Sequence, residues 1–110
     1  MIVYISGPIS GMPNLNREAF EQVKKQIIDI GHEAVNPHDL FKDLDTEGYT
    51  WHQFMPPCIK ALVDCNVIIT LPAWDGSKGA SLEVDIARKL DKPVFTPHKF
   101  FELYGNDEQI

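Results

Sequence analysis

Basic side chains are scarce in this sequence: ten Lys and Arg stand against 16 Asp and Glu, a formal net charge of −6 over 110 residues. An acidic surface repels a phosphate backbone, which argues against broad binding of polymeric nucleic acid. A small anion remains compatible, because helix N-termini and backbone amides hold anions without basic side chains. Cysteine is nearly absent too, with only Cys58 and Cys65. Seven residues apart on one predicted helix, they stand roughly 10 Å from each other, too far for a disulfide. They read as reduced, buried thiols of a cytoplasmic protein. No apolar run approaches the roughly 20 residues of a membrane helix. The apolar start Met1–Ile5 lacks a basic leader and a long hydrophobic stretch, so it reads as a strand rather than a signal peptide. The four histidines, at 32, 38, 52 and 98, show no metal-ligand spacing, and no metal or cofactor is expected. No Ser-His-Asp order stands out. Internal repeats, linkers and low-complexity segments are missing as well.

What is present alternates between strand and helix. Ile2 to Ser6 is continuously apolar up to Gly7-Pro8, the pattern of a strand buried on both faces of a parallel sheet. Asn14 to Ile30 carries Ala19, Phe20, Val23, Ile27 and Ile30 at helical spacing, with Asn14 or Asn16 available as N-cap and Gly31 as C-cap. Glu33 to Asn36 is a short strand stopped by Pro37, and His38 to Tyr49 reads as a loop. Thr50 and Gln53 match a capping box. Pro56 and Pro57 then predict either a short turn at 50–55 followed by a helix from Pro56 to Asp64, or a kink between the two. Val67–Leu71 is a third strand, Lys78–Leu90 a helix, Pro93–Thr96 a fourth strand, and Phe100–Tyr104 a short last helix. The expected architecture is α/β, one domain over residues 1–110. It is a three-layer, doubly wound, flavodoxin- or Rossmann-like fold with a four- to five-stranded parallel sheet, order 2-1-3-4(-5). Ligands of such sheets bind at the carboxyl ends of the strands. That brings together the loops at residues 6–14 and 72–78.

Glu83 is the anomaly in the pattern. Ala80, Val84, Ala87 and Leu90 form an apolar stripe that Ile86 widens, and Glu83 falls in its middle. Asp85, Arg88 and Lys89 fall on the opposite side. A carboxylate on a buried face must be paired, hydrogen-bonded or functional. Ser77 opens the same helix, either as a plain N-cap or, with Gly79, as an anion-facing terminus. The loop Gly7-Pro8-Ile9-Ser10-Gly11 has neither G-x-G-x-x-G spacing nor a Walker lysine. By itself Tyr4 reads as a core tyrosine with a bonded hydroxyl. Trp51 reads as packing, and Trp74, in the loop after the third strand, as the better ligand candidate.

Three segments carry a resemblance: Tyr4-Ile5-Ser6-Gly7-Pro8-Ile9-Ser10-Gly11; Cys65-Asn66-Val67-Ile68 followed by Leu71-Pro72-Ala73-Trp74; and Ser77-Lys78-Gly79-Ala80-Ser81-Leu82-Glu83. Together they resemble the nucleoside 2-deoxyribosyltransferase superfamily from Ile2 to about Val94, closest to a small branch found in bacteria and their phages. The resemblance implies that Glu83 attacks the anomeric carbon of a nucleoside or nucleotide and that Tyr4 orients it. It implies that Ser77, where nucleoside-specific members carry aspartate, contacts a 5′-phosphate. The implied binding set is Gly7, Pro8, Ile9, Ser10, Gly11, Trp74, Asp75, Ser77, Gly79 and Ala80. A homo-oligomer with sites near subunit interfaces is implied as well. Departures from the pattern are Cys58 and Asn66, which stand where acids are expected, and Ser10, which replaces an arginine. Asp64 and Asp75 are the acids that could substitute. The alternative function is a nucleotide-binding module with weak or no catalysis.

Overall fold

The structure is a computed structural model and describes residues 1–105. Residues 106–110 of the expected domain lie outside the described residues. Four parallel strands, β1 (Ile2–Ser6), β2 (Glu33–Val35), β3 (Val67–Thr70) and β4 (Val94–Phe95), form one sheet in the order β2-β1-β3-β4. Helices α1 (Arg17–Asp29), α2 (Trp51–Val63), α3 (Lys78–Lys89) and α4 (Pro97–Tyr104) flank it. The fold is the expected three-layer α/β arrangement with its sheet order, with four strands among the described residues. No helix among these residues is long and apolar enough to cross a membrane.

The two-residue period of β1 divides the interior. Val3 and Ile5 join Phe20, Val23 and Ile27 of α1, Val67 and Ile69 of β3, and Phe100 of α4 in one apolar layer. Tyr4 points the other way, into a layer with Cys58 and Leu62 of α2, Ile68 of β3 and Ala87 of α3. Register places Tyr4 between Val35 and Ile68, at the centre of the sheet.

Three local expectations are corrected. Helix α1 begins at Arg17 rather than Asn14, because Asn14, Leu15 and Asn16 all adopt left-handed conformations (φ 49°, 54° and 59°). Asn16 does not cap the helix with its side chain; its Nδ2 instead donates to the carbonyl of Pro8 at 2.9 Å and ties the first loop down. The loop expected at 38–49 opens with a 3₁₀ turn, Pro37–Phe41. And α2 runs unbroken from Trp51 through Pro56 and Pro57. Both prolines are exposed, as are His52 and Gln53, whose carbonyls lose their i+4 donors and face water instead. Gln53 still accepts from the Thr50 amide at 2.9 Å, as the capping box requires.

Candidate functional site

Strand β1 and helix α3 build the site between them. Tyr4 and Ser6, two residues apart, project from the same face of β1 towards α3. From the second turn of α3, Glu83 points back and is only 5% exposed. The Tyr4 hydroxyl donates to Oε2 of Glu83, and the Ser6 hydroxyl donates to Oε1 at 2.8 Å. Each carboxylate oxygen thus has its own donor, from residues 79 and 77 positions away. The pattern anomaly of Glu83 is therefore a hydrogen-bonded acid at the carboxyl end of β1.

Burial raises the Glu83 carboxyl to about 7, and the hydrogen bonds from Tyr4 and Ser6 hold it below where burial alone would put it. Burial, together with the Glu83 charge, keeps the Tyr4 hydroxyl well above its ordinary value, so Tyr4 stays a donor. Cys58 joins the same layer from α2. Burial and Glu83 push its thiol up to about 11, which leaves it protonated at neutral pH. Ser6 was not among the expected site residues. Its signal was legible nonetheless, as the next position on Tyr4's side of the strand.

The first loop leaves β1 in tight contact with its neighbour. A β-carbon on Gly7 would fall 2.7 Å from Cβ of Leu71, so only glycine lets the end of β1 lie this close to the end of β3. Gly7 and Pro8 are buried, Ile9 packs against the α1-side layer, and Ser10 and Gly11 are exposed. Gly11 takes φ +79° with open space around it.

At the start of α3, Ser77 serves as N-cap: its Oγ accepts from the amide of Ala80 at 3.2 Å. Gly79 is a packing residue, since a β-carbon there would lie 3.1 Å from Sδ of Met55 and 3.6 Å from Nε1 of Trp51. Ala80 is buried. Asp75 is exposed in the 3₁₀ turn Trp74–Gly76. Trp74 does not join Glu83. Its ring stands beside the Arg88 guanidinium (5.7 Å) and lines a groove of about 530 Å³ on the outer side of α3. That groove includes none of Glu83, Tyr4 and Ser6. Leu90, expected on the buried stripe, caps the end of α3 and is half exposed, because the helix has ended before it.

Asn66 and Asp64 belong to the opposite end of the sheet. Asn66 Oδ1 accepts from the amide of Ile2 at 2.7 Å, and its own amide donates to the Ile2 carbonyl at 2.8 Å. This clasps the amino end of β1. Asp64 lies on the same connection, as C-cap of α2. Of the two residues that stand where acids are expected, Cys58 is therefore at the site and Asn66 is away from it. Among the described residues no group of three or more His, Cys, Asp or Glu is placed to hold a metal ion.

Among curated proteins none matches this chain. A family model does match, over residues 1–96, a span that takes in β1, the first loop, the Asn66 clasp and all of α3. By that match the chain belongs to the family described as Domain of unknown function (DUF4406).

Proposed function

We propose that this domain cleaves or transfers the N-glycosidic bond of nucleosides or nucleoside 5′-monophosphates, with Glu83 as nucleophile. One observation carries the reading: a single buried carboxylate at the carboxyl end of a parallel sheet, with a hydroxyl on each oxygen. The resemblance of residues 4–11 and 77–83 to nucleoside 2-deoxyribosyltransferases supports it independently.

In this reading an ionised Glu83 oxygen attacks the anomeric carbon. The carbon–nitrogen bond breaks, and its electron pair leaves with the base, which takes up a proton. The resulting glycosyl ester is opened at the same carbon by water or by a second base, and the electrons of the ester bond return to Glu83. Tyr4 and Ser6 hold the carboxylate in one orientation and leave each oxygen a further lone pair for attack. Since burial holds Glu83 near 7, a substantial fraction is ionised at neutral pH, and the ionised form is poorly hydrated. The hydroxyl proton of Ser77 and the amides opening α3 suit a 5′-phosphate.

A second reading, nucleotide binding without turnover, is favoured by the acid content of the site. Cys58 is neutral, Asp64 lies at the other end of the sheet, and Asp75 is not bonded to Glu83. The test is to incubate the protein with ribo- and deoxyribonucleosides and their 5′-monophosphates and to measure free base by chromatography. Base release that disappears in Glu83→Gln supports the enzyme. If no substrate yields base but monophosphates raise the melting temperature, the binding reading replaces it. Ser77→Asp should weaken monophosphates relative to nucleosides; unchanged monophosphate binding would remove the phosphate assignment.

A further inference from the structure

A base that leaves a sugar as an anion needs a proton or a cation, and the cluster around Glu83 supplies neither. The Tyr4 and Ser6 hydroxyl protons are committed to the two oxygens of Glu83. Giving up the Tyr4 or Cys58 proton would create a second anion beside Glu83 in an apolar layer. Burial and the Glu83 charge therefore hold Tyr4 well above its ordinary value and Cys58 at about 11. An effective general acid titrates near the working pH, and neither of these does. The rest of the layer adds no acid: Leu62, Ile68 and Ala87 are apolar, and Cys65 is a second thiol that burial raises to about 11. Asp64 caps α2 at the other end of the sheet, and Asp43, Asp45, Glu47 and Asp75 are exposed on loops. His38 follows β2 but packs edge-on against Phe20 at 5.0 Å, in the α1 layer across the sheet from Tyr4. Burial and the Arg17 charge lower its pKa, so its ring is neutral at pH 7. Lys78 and Arg88 lie against the indoles of Trp51 and Trp74, on the outer side of α3. Among the described residues, Glu83 is the one charged group of the cluster.

We infer that the substrates of this site carry a positive charge on the base: they are nucleosides or nucleotides whose glycosidic nitrogen belongs to a quaternised ring, a pyridinium or an N7-alkylated purine. The inference rests on the glycosidic reading and narrows it. When a Glu83 oxygen bonds to the anomeric carbon, the electron pair of the carbon–nitrogen bond returns to the ring and cancels its charge. The base leaves neutral and takes up no proton. Water then bonds to the same carbon, the ester electrons return to Glu83, and the proton of the water passes to solvent. A cationic ring suits the ground state as well. An opposite charge next to Glu83 favours its ionised form, which is the form that attacks. A neutral base offers neither advantage.

The test compares two matched pairs on the full chain: nicotinamide mononucleotide against its 1,4-dihydro form, and 7-methylguanosine 5′-monophosphate against guanosine 5′-monophosphate. Within each pair the sugar and phosphate are the same and the charge of the ring differs. In both pairs the cationic member should release base at least about a hundredfold faster, and Glu83→Gln should abolish the release. An acid in the site would speed only the neutral member, by about 10²–10⁴-fold, and so close that gap. A smaller gap or the reverse order, with release that still requires Glu83, overturns the inference and leaves the glycosidic reading standing. If no member of either pair yields base, and no other nucleoside or monophosphate does, the glycosidic reading itself falls and the inference with it. The pH dependence is a second measurement. The charge of the nicotinamide ring does not titrate, so kcat/KM for nicotinamide mononucleotide should rise as Glu83 ionises around 7 and then stay level on the alkaline side. A falling alkaline limb would reveal a proton-holding acid in the site and overturn the inference.

Discussion

Ser6 and Glu83, 77 positions apart, meet through one hydrogen bond of 2.8 Å, and that bond leaves neither oxygen of the acid bare. Tyr4 holds the other oxygen. A lone buried carboxylate is costly, but one that accepts from two fixed hydroxyls can stay in an apolar layer and still ionise within the physiological range.

Stability should fall as the pH is raised through this titration. Glu83 is lifted from the ordinary 4.5 to about 7 in the folded chain. Between those values the folded state binds more protons than the unfolded state, so stability is greatest below 4.5 and declines until the acid is ionised in both. At about 1.4 kcal/mol per unit, the decline is on the order of 3 kcal/mol. Melting temperatures measured across that window should fall for the parent and fall much less for Glu83→Gln. Parallel curves would show that Glu83 is not the responsible group.

Removing the Ser6 hydroxyl should raise the Glu83 carboxyl further, by about one unit. Direct titration of the carboxyl carbon by NMR reads this in the absence of any substrate. If base release is found, kcat/KM should rise with pH to a plateau above about 7, and Ser6→Ala should move that inflection upwards. An inflection that stays in place would show that Ser6 does not tune the acid.

Asn66 tests whether the departure from an acid at that position matters. Asn66→Ala removes the acceptor for the Ile2 amide and should cost about 1 kcal/mol in urea unfolding. Asn66→Asp keeps an acceptor oxygen and should cost little. Neither should move the Glu83 titration, because the clasp is at the other end of β1.

Gly7→Ala should destabilise the protein by about 1–3 kcal/mol, since the added methyl meets Cβ of Leu71 at 2.7 Å and the two strand ends must separate. The same separation displaces the neighbouring Ser6, so the Glu83 titration should shift in this variant as well. Unchanged unfolding would mean that the loop relaxes freely.

The alternation of apolar strands with amphipathic helices was sufficient for the sheet order, and helical periodicity for α1, α3 and α4 to within a few residues and for singling out Glu83, because burial imposes a period of 3.6 on helices and leaves central parallel strands apolar throughout. It failed where local chemistry competed with pattern. The helix expected from Asn14 starts later because three residues turn left-handed and Asn16 binds Pro8, and the prolines of α2 survive because that side of the helix is open to water. Helical spacing marked Glu83, and the resemblance marked Tyr4 and the loop from Gly7 to Gly11. What only the tertiary structure decided is which of them meet. Ser6 joined the acid, Trp74 turned to the outer groove with Arg88, and Asn66 went to the far end of the sheet. These are contacts between distant positions, set by strand register and by the rotation of α3 against β1, and no local pattern encodes either one.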